Sequence, residues 1–114
     1  MELRAFAEQV LFSADLETKL WSPESFSDDA PGGPLADAVV PGRPAYLPLL
    51  NERDVPPSPT PASLQQASAR GLALHSFAHH ELQALELMAV ALLRWPEAPR
   101  GFRKGLALLI RDEQ

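Results

Sequence analysis

The sequence predicts an all-α protein: an N-terminal helix, a long Pro-rich wrapping loop, and a long antiparallel helical hairpin. Three observations carry that prediction. Ten of the twelve prolines lie between Pro23 and Pro61, so helix breakers crowd one stretch and spare its flanks. Beyond Pro61 apolar residues recur at helical spacing until Trp95-Pro96, and they resume after Pro99. The Pro96-Glu97-Ala98-Pro99 link is too short for anything but antiparallel neighbours.

Residues 1–21 read as the N-terminal helix, with Leu3, Phe6, Val10 and Leu20 partly in register and Ser22-Pro23 as its stop. Residues 22–60 form the Pro/Gly-rich segment, where Pro31-Gly32-Gly33-Pro34 and Val55-Pro56-Pro57 are the clearest breakers. Structureless loops of that length are uncommon in compact domains. Val39, Val40, Tyr46, Leu47, Leu49 and Leu50 favour a segment that wraps a surface, with a flexible tether as the alternative. Residues 61–114 form the hairpin, part of a bundle. Thr60 caps its first helix with Pro61 at the first helical position, or Ser63 and Gln66 form a capping box slightly later. That helix runs about 30 residues, roughly 45 Å, past the weak interior Gly71 to Trp95; Pro99 then starts the next.

At 114 residues the chain is one domain at most. A net charge of −5 and a pI near 5.1 disfavour general nucleic-acid binding. The lack of cysteine excludes disulfide scaffolds, thiolate metal sites and cysteine nucleophiles. Met1-Glu2-Leu3-Arg4 does not begin a signal peptide, and no apolar run approaches the roughly 18 residues of a membrane span. The expectation is a soluble cytoplasmic protein without a membrane partner.

The unusual residues are two glutamates. Around Glu81 the positions at helical spacing are Leu74, Phe77, Ala78, Ala84, Leu85 and Met88, so the carboxylate rises from mid-stripe. Glu113 repeats the pattern behind Phe102, Leu106, Leu109 and Ile110. If these stripes face the core, each acid must be protonated, paired or bound to a cation. Glu81 lies 14 residues before Trp95 and Glu113 lies 14 after Pro99. At about 1.5 Å per residue both stand about 21 Å from the turn, level with one another across the hairpin.

Two level carboxylates suit iron(II), manganese, magnesium or calcium, and added imidazole shifts the preference towards iron, manganese or zinc. In di-metal carboxylate bundles, two helices give one glutamate each and two give Glu-x-x-His. Glu81 fits the lone-glutamate role. Glu113 fits the first place of Glu-x-x-His, but its histidine would fall two positions beyond Gln114. The apolar periodicity is still running at Arg111-Asp112-Glu113-Gln114, so a truncated chain is expected over a natural helix end.

The run from His79-His80-Glu81-Leu82-Gln83 to Met88-Ala89, with Trp95-Pro96-Glu97-Ala98-Pro99, Phe102-Arg103 and Arg111-Asp112-Glu113, resembles an uncharacterised bacterial ferritin-like family, domain of unknown function 455. Leu3-Arg4-Ala5-Phe6-Ala7, Asp28-Asp29-Ala30-Pro31-Gly32 and Pro41-Gly42-Arg43-Pro44 resemble that family's N-terminal half. The resemblance implies a ferritin-like helical bundle with a carboxylate-bridged metal centre, di-iron or manganese, and oxygen-dependent oxidase or hydroxylase chemistry on an unnamed substrate. Related bundles include hydroxylases of modified tRNA. It implies Glu81 as a terminal or bridging ligand and Glu113 as a bridging one, beside a wall of Phe77, Leu85, Met88, Phe102 and Leu106. The chain departs from the family in lacking the second half of the bundle.

His79, His80, Gln83 and Glu86 are candidates to orient a ligating carboxylate by hydrogen bonding, or they form a polar flank with His75. Arg94, Arg100, Arg103 and Lys104 crowd the hairpin turn, read as a solvated turn with an anion-binding patch as the alternative. No nucleophile–base–orienter set and no phosphate-binding glycine loop is present, so no catalytic side chain is assigned. The rival reading is a non-enzymatic assembly module in which the buried glutamates are structural. Its hairpin would pair through the apolar face into a homo-oligomer. Metal storage is a third reading.

Overall fold

The computed structural model describes residues 1–36, 39–50, 52–55 and 57–114. Among the described residues four α-helices follow in order: α1 (Leu3–Phe12), α2 (Leu16–Lys19), α3 (Ala67–Arg94) and α4 (Arg100–Glu113). Short 3-10 turns at Glu52–Asp54 and Ser63–Gln65 precede α3. Among the described residues there is no strand, only an isolated parallel bridge between Glu2 and Ser27. No helix among them is long and apolar enough to cross a membrane.

The N-terminal helix is shorter than its periodicity suggests. It stops at Phe12, Ser13 turns extended, and Asp15 restarts the chain as the cap of α2. The Asp15 carboxylate accepts from Thr18 N at 2.9 Å and Thr18 Oγ1 at 2.6 Å. Those two bonds hold it below the usual carboxylate range. A short acid that satisfies a free backbone N–H favours a new start over a continuing helix. The restart carries Lys19 back under α1.

The hairpin turns where the prolines place it, but α3 begins at Ala67 and not at Pro61, because the chain first makes a separate 3-10 turn at Ser63–Gln65. Thr60 caps the 3-10 turn, its Oγ1 accepting from Ser63 N at 3.3 Å. Gln66 is the cap residue of α3 without a side-chain hydrogen bond, so the Ser63–Gln66 box is not formed. Pro96 follows the end of α3, and Pro99 immediately precedes α4.

The core is built by three helices. Leu3, Phe6, Ala7, Val10 and Leu11 of α1 meet Leu82, Leu85, Ala89, Leu92 and Leu93 of α3, closed by Ala107 and Ile110 of α4. All of the α3 core residues lie in its C-terminal half. Phe26, Leu35, Val39 and Leu47 pack against this core from the segment before α3, while Val40, Tyr46, Leu49 and Leu50 are exposed. Backbone bonds tie the segment down: Leu35 N donates to Leu93 O at 2.9 Å, and Leu3 N donates to Ser27 O at 2.8 Å. Pro56, expected as a breaker, lies outside the described residues.

Gly42 sets how closely that segment approaches α1. Its N–H donates to Leu11 O at 2.8 Å, and a Cβ placed there would come within 2.0 Å of Phe12 O. The obstacle is backbone and cannot rotate away. Gly42→Ala is therefore expected to lower stability by about 1–3 kcal/mol in urea titration. Gly33→Ala, whose Cβ would meet nothing within 4 Å, serves as the control.

Candidate functional site

Glu81 and Glu113 meet as the helical rise requires. The two carboxyls line one pocket, and the nearness of Glu81 holds the Glu113 proton above the ordinary carboxylate range. Glu81 is the main cause, by hydrogen bonding and then by its charge, followed by slight desolvation and Asp112. A folded-state value above the unfolded one means that stability falls as pH rises from the ordinary carboxylate range through the raised value.

Their surroundings correct the expectation of burial. Both side chains are exposed. They stand on a face that also exposes Leu74, Phe77 (65%), Phe102 (60%) and Leu109. Of the expected wall only Leu85 is buried, with Met88 and Leu106 half-buried at its edge. The physical reason is that α3 carries two apolar stripes. The one running from Leu82 through Leu85, Ala89 and Leu92 is covered by α1, and that stripe contains Glu86.

The carboxyl pair opens onto a pocket of about 350 Å³, whose apolar side includes Leu16, Leu20, Leu82 and Leu85. Gln114 lines it too. Its Nε2 donates to Lys19 O at 2.9 Å and Trp21 O at 3.1 Å, which fixes the amide orientation. Its Oε1 is then buried with no partner. Two carboxyls and an orphaned amide oxygen make an all-oxygen donor set, which fits a hard divalent cation. Among the described residues no three His, Cys, Asp or Glu side chains come together to hold an ion.

His79 is half-buried beside this pocket. Burial, then Arg43 and His75, push its imidazole below the usual histidine value. His80 and Gln83 are exposed. Glu86 is the glutamate that this fold buries, at 4% exposure. Arg43 grips it with Nε at 2.7 Å and with Nη2, and Lys19 Nζ sits 3.1 Å from Oε2. Lys19, with 0% exposure, spends its other protons on Leu11 O at 3.1 Å and Gly42 O at 2.7 Å. Desolvation pulls its ammonium below the ordinary lysine value, and Glu86 offsets part of that.

The turn cations also sort differently from the solvated reading. Arg103 is 1% exposed. Its Nε and Nη2 hold Asp28 at 2.8 and 3.1 Å, and its Nη1 donates to Leu92 O and Trp95 O at 2.7 and 3.1 Å. Arg100 stays exposed and pairs with Asp29 at 2.9 Å. The ridge Arg103–Ala107–Ile110, one face at helical spacing, was the available sign that Arg103 turns inward. Nothing comparable marks Lys19.

Compared with known proteins, residues 4–114 match the family model described as Protein of unknown function (DUF455). No curated protein and no solved structure matches the chain.

Proposed function

The chain belongs to the DUF455 family, and on that premise we propose that Glu81 and Glu113 are two ligands of a divalent-metal centre of the ferritin-like, carboxylate-bridged kind. Oxygen-dependent oxidation or hydroxylation is the activity this reading assigns. The observation that carries it is the carboxyl pair itself. Two acids from neighbouring helices line one pocket on an apolar face, where each raises the cost of the other's charge, and a cation would relieve that repulsion. Gln114 Oε1, buried and unpartnered on the same pocket, offers a third oxygen.

A bound iron or manganese ion would supply Lewis acidity and one-electron chemistry at this place. The chain's own residues do the rest. Glu81 and Glu113 would hold the ion, and Glu113 would give up its proton to do so. The bonds from Gln114 Nε2 to the end of α2 fix where its oxygen points. Leu16, Leu20 and Leu82 keep one side of the pocket apolar. The remaining ligands would arrive across the exposed face bearing Phe77 and Phe102.

Titration with manganese(II), followed by electron paramagnetic resonance and calorimetry, tests this directly. Saturable binding with proton release is expected, weakened about tenfold or more by Glu81→Gln or Glu113→Gln. Variants that bind like the parent, or a parent that binds no metal, would remove the reading.

The exposed Leu74, Phe77, Phe102 and Leu109 support a second reading, an assembly module that buries this face between copies. In that case Glu81→Gln and Glu113→Gln strengthen self-association in sedimentation and leave metal content at zero.

A further inference from the structure

A second pocket, of about 320 Å³, lies against the first half of α3. Its two sides differ in kind. The chain before α3 contributes an apolar wall that includes Tyr46, Leu49, Leu50 and Val55. The helix contributes a polar floor of His75, Ser76, His79, His80 and Gln83 on two adjacent ridges. The volume falls in the range of small-molecule sites, about 300–1,000 Å³, which pair apolar walls with a few convergent polar groups.

From this division we infer that the pocket binds a small, neutral, planar aromatic molecule carrying hydrogen-bonding ring atoms along one edge.

Three features select that class. Among the described residues the lining itself carries no Asp, Glu, Lys or Arg, so no charged side chain in direct contact would replace the water an entering ion gives up. Each imidazole, hydroxyl and amide in the floor offers both a donor and an acceptor. That suits an edge presenting both, as a nitrogen heterocycle does, better than a carboxylate or an ammonium. None of the five floor side chains spends a hydrogen bond on another described residue. The apolar wall, with Tyr46 among its residues, suits an aromatic face.

This site goes beyond the metal reading and stands without it. The two pockets share Leu47, His75 and His79, so a bound heterocycle would lie next to the carboxyl pair.

Metal-free full-length chain, titrated with benzimidazole at neutral pH and followed by amide shift perturbation, provides the test. Benzoate, benzylammonium and benzene are the comparison ligands. Benzimidazole is expected to bind with perturbations centred on residues 72–83 and 46–50, and at least about tenfold more tightly than the three others. Gln83→Leu and His80→Leu, both at exposed positions, should each weaken it about five- to tenfold. Leu50→Asp should abolish binding from the opposite wall. Tighter binding of benzoate or benzylammonium would overturn the assignment, as would equal binding of benzene, perturbations elsewhere, or no binding at all. Retention of benzimidazole affinity in both floor variants would overturn it as well. Because no metal is present, the outcome is independent of the manganese titration.

Discussion

Glu86→Gln is expected to cost the fold about 3–5 kcal/mol, the range for removing one partner of a buried ion pair. The glutamine keeps the shape and removes the charge, leaving Lys19 and Arg43 as two cations in one dry site. Their side chains are 0% and 5% exposed, so water cannot take over the role of the carboxylate. Set against a total of about 5–15 kcal/mol for a domain, that is about a fifth of the stability or more. Lys19→Met should cost less, because it leaves the Arg43–Glu86 pair balanced and mainly frees Leu11 O and Gly42 O. The variants also separate by pH. Lys19 has a folded-state value below its unfolded one, so the unfolded chain binds more protons in the window between them. Stability accordingly rises with pH through the depressed value towards the ordinary lysine range. Without Glu86 the depression deepens, and the urea midpoint of Glu86→Gln should climb more steeply with pH than that of the parent. An identical slope would show that the carboxylate does not stabilise the ammonium.

What the sequence revealed and what it concealed divide along physical lines. The ends of the hairpin were legible because proline acts locally: Pro96 and Pro99 bound α3 and α4 whatever packs on them. The meeting of Glu81 and Glu113 was legible because the rise per residue is fixed and the link is short. Which stripe of α3 would be covered was not. Leu74–Phe77–Glu81–Leu85 and Leu82–Leu85–Ala89–Leu92 both read as apolar faces, and the choice between them depends on where α1 docks, a long-range event with no local signature. The buried charges were hidden for a related reason. Lys and Arg are mostly exposed, so apart from a ridge such as Arg103–Ala107–Ile110 a buried one is recognised through its partner. Here the partners are distant in sequence: Arg43 and Glu86 are 43 residues apart, and Asp28 and Arg103 are 75 apart. The break at Ser13–Asp15 does have a local signal, since Asp15 three residues before Thr18 is a cap pattern, but the apolar register that runs on across it masks the stop.

Arg103→Leu is expected to be as damaging as the loss of Glu86, about 3–5 kcal/mol, through a different set of contacts. The guanidinium is a junction. One edge holds both oxygens of Asp28, and Nη1 closes the C-terminal end of α3 by bonding Leu92 O and Trp95 O. Leucine fills part of the volume but strands a nearly buried carboxylate (12% exposed) and uncaps two carbonyls, each unsatisfied acceptor costing about 1–3 kcal/mol. Arg103→Lys should rescue little, since a single ammonium cannot serve a bidentate carboxylate and two carbonyls at once. Asp28→Asn combined with Arg103→Leu should be less destabilised than the two single changes taken together, by about 0.5–3 kcal/mol. Hydrogen exchange supplies the spatial check. Arg103→Leu should speed exchange at the Trp95 and Ala98 amides of the turn, and at the Leu3 and Ser27 amides, whose bridge is anchored next to Asp28. If only the turn amides respond, Arg103 is a local helix cap. If both groups respond together, it is the clamp that joins the N-terminal segment to the hairpin, the outcome expected from its bonds to both.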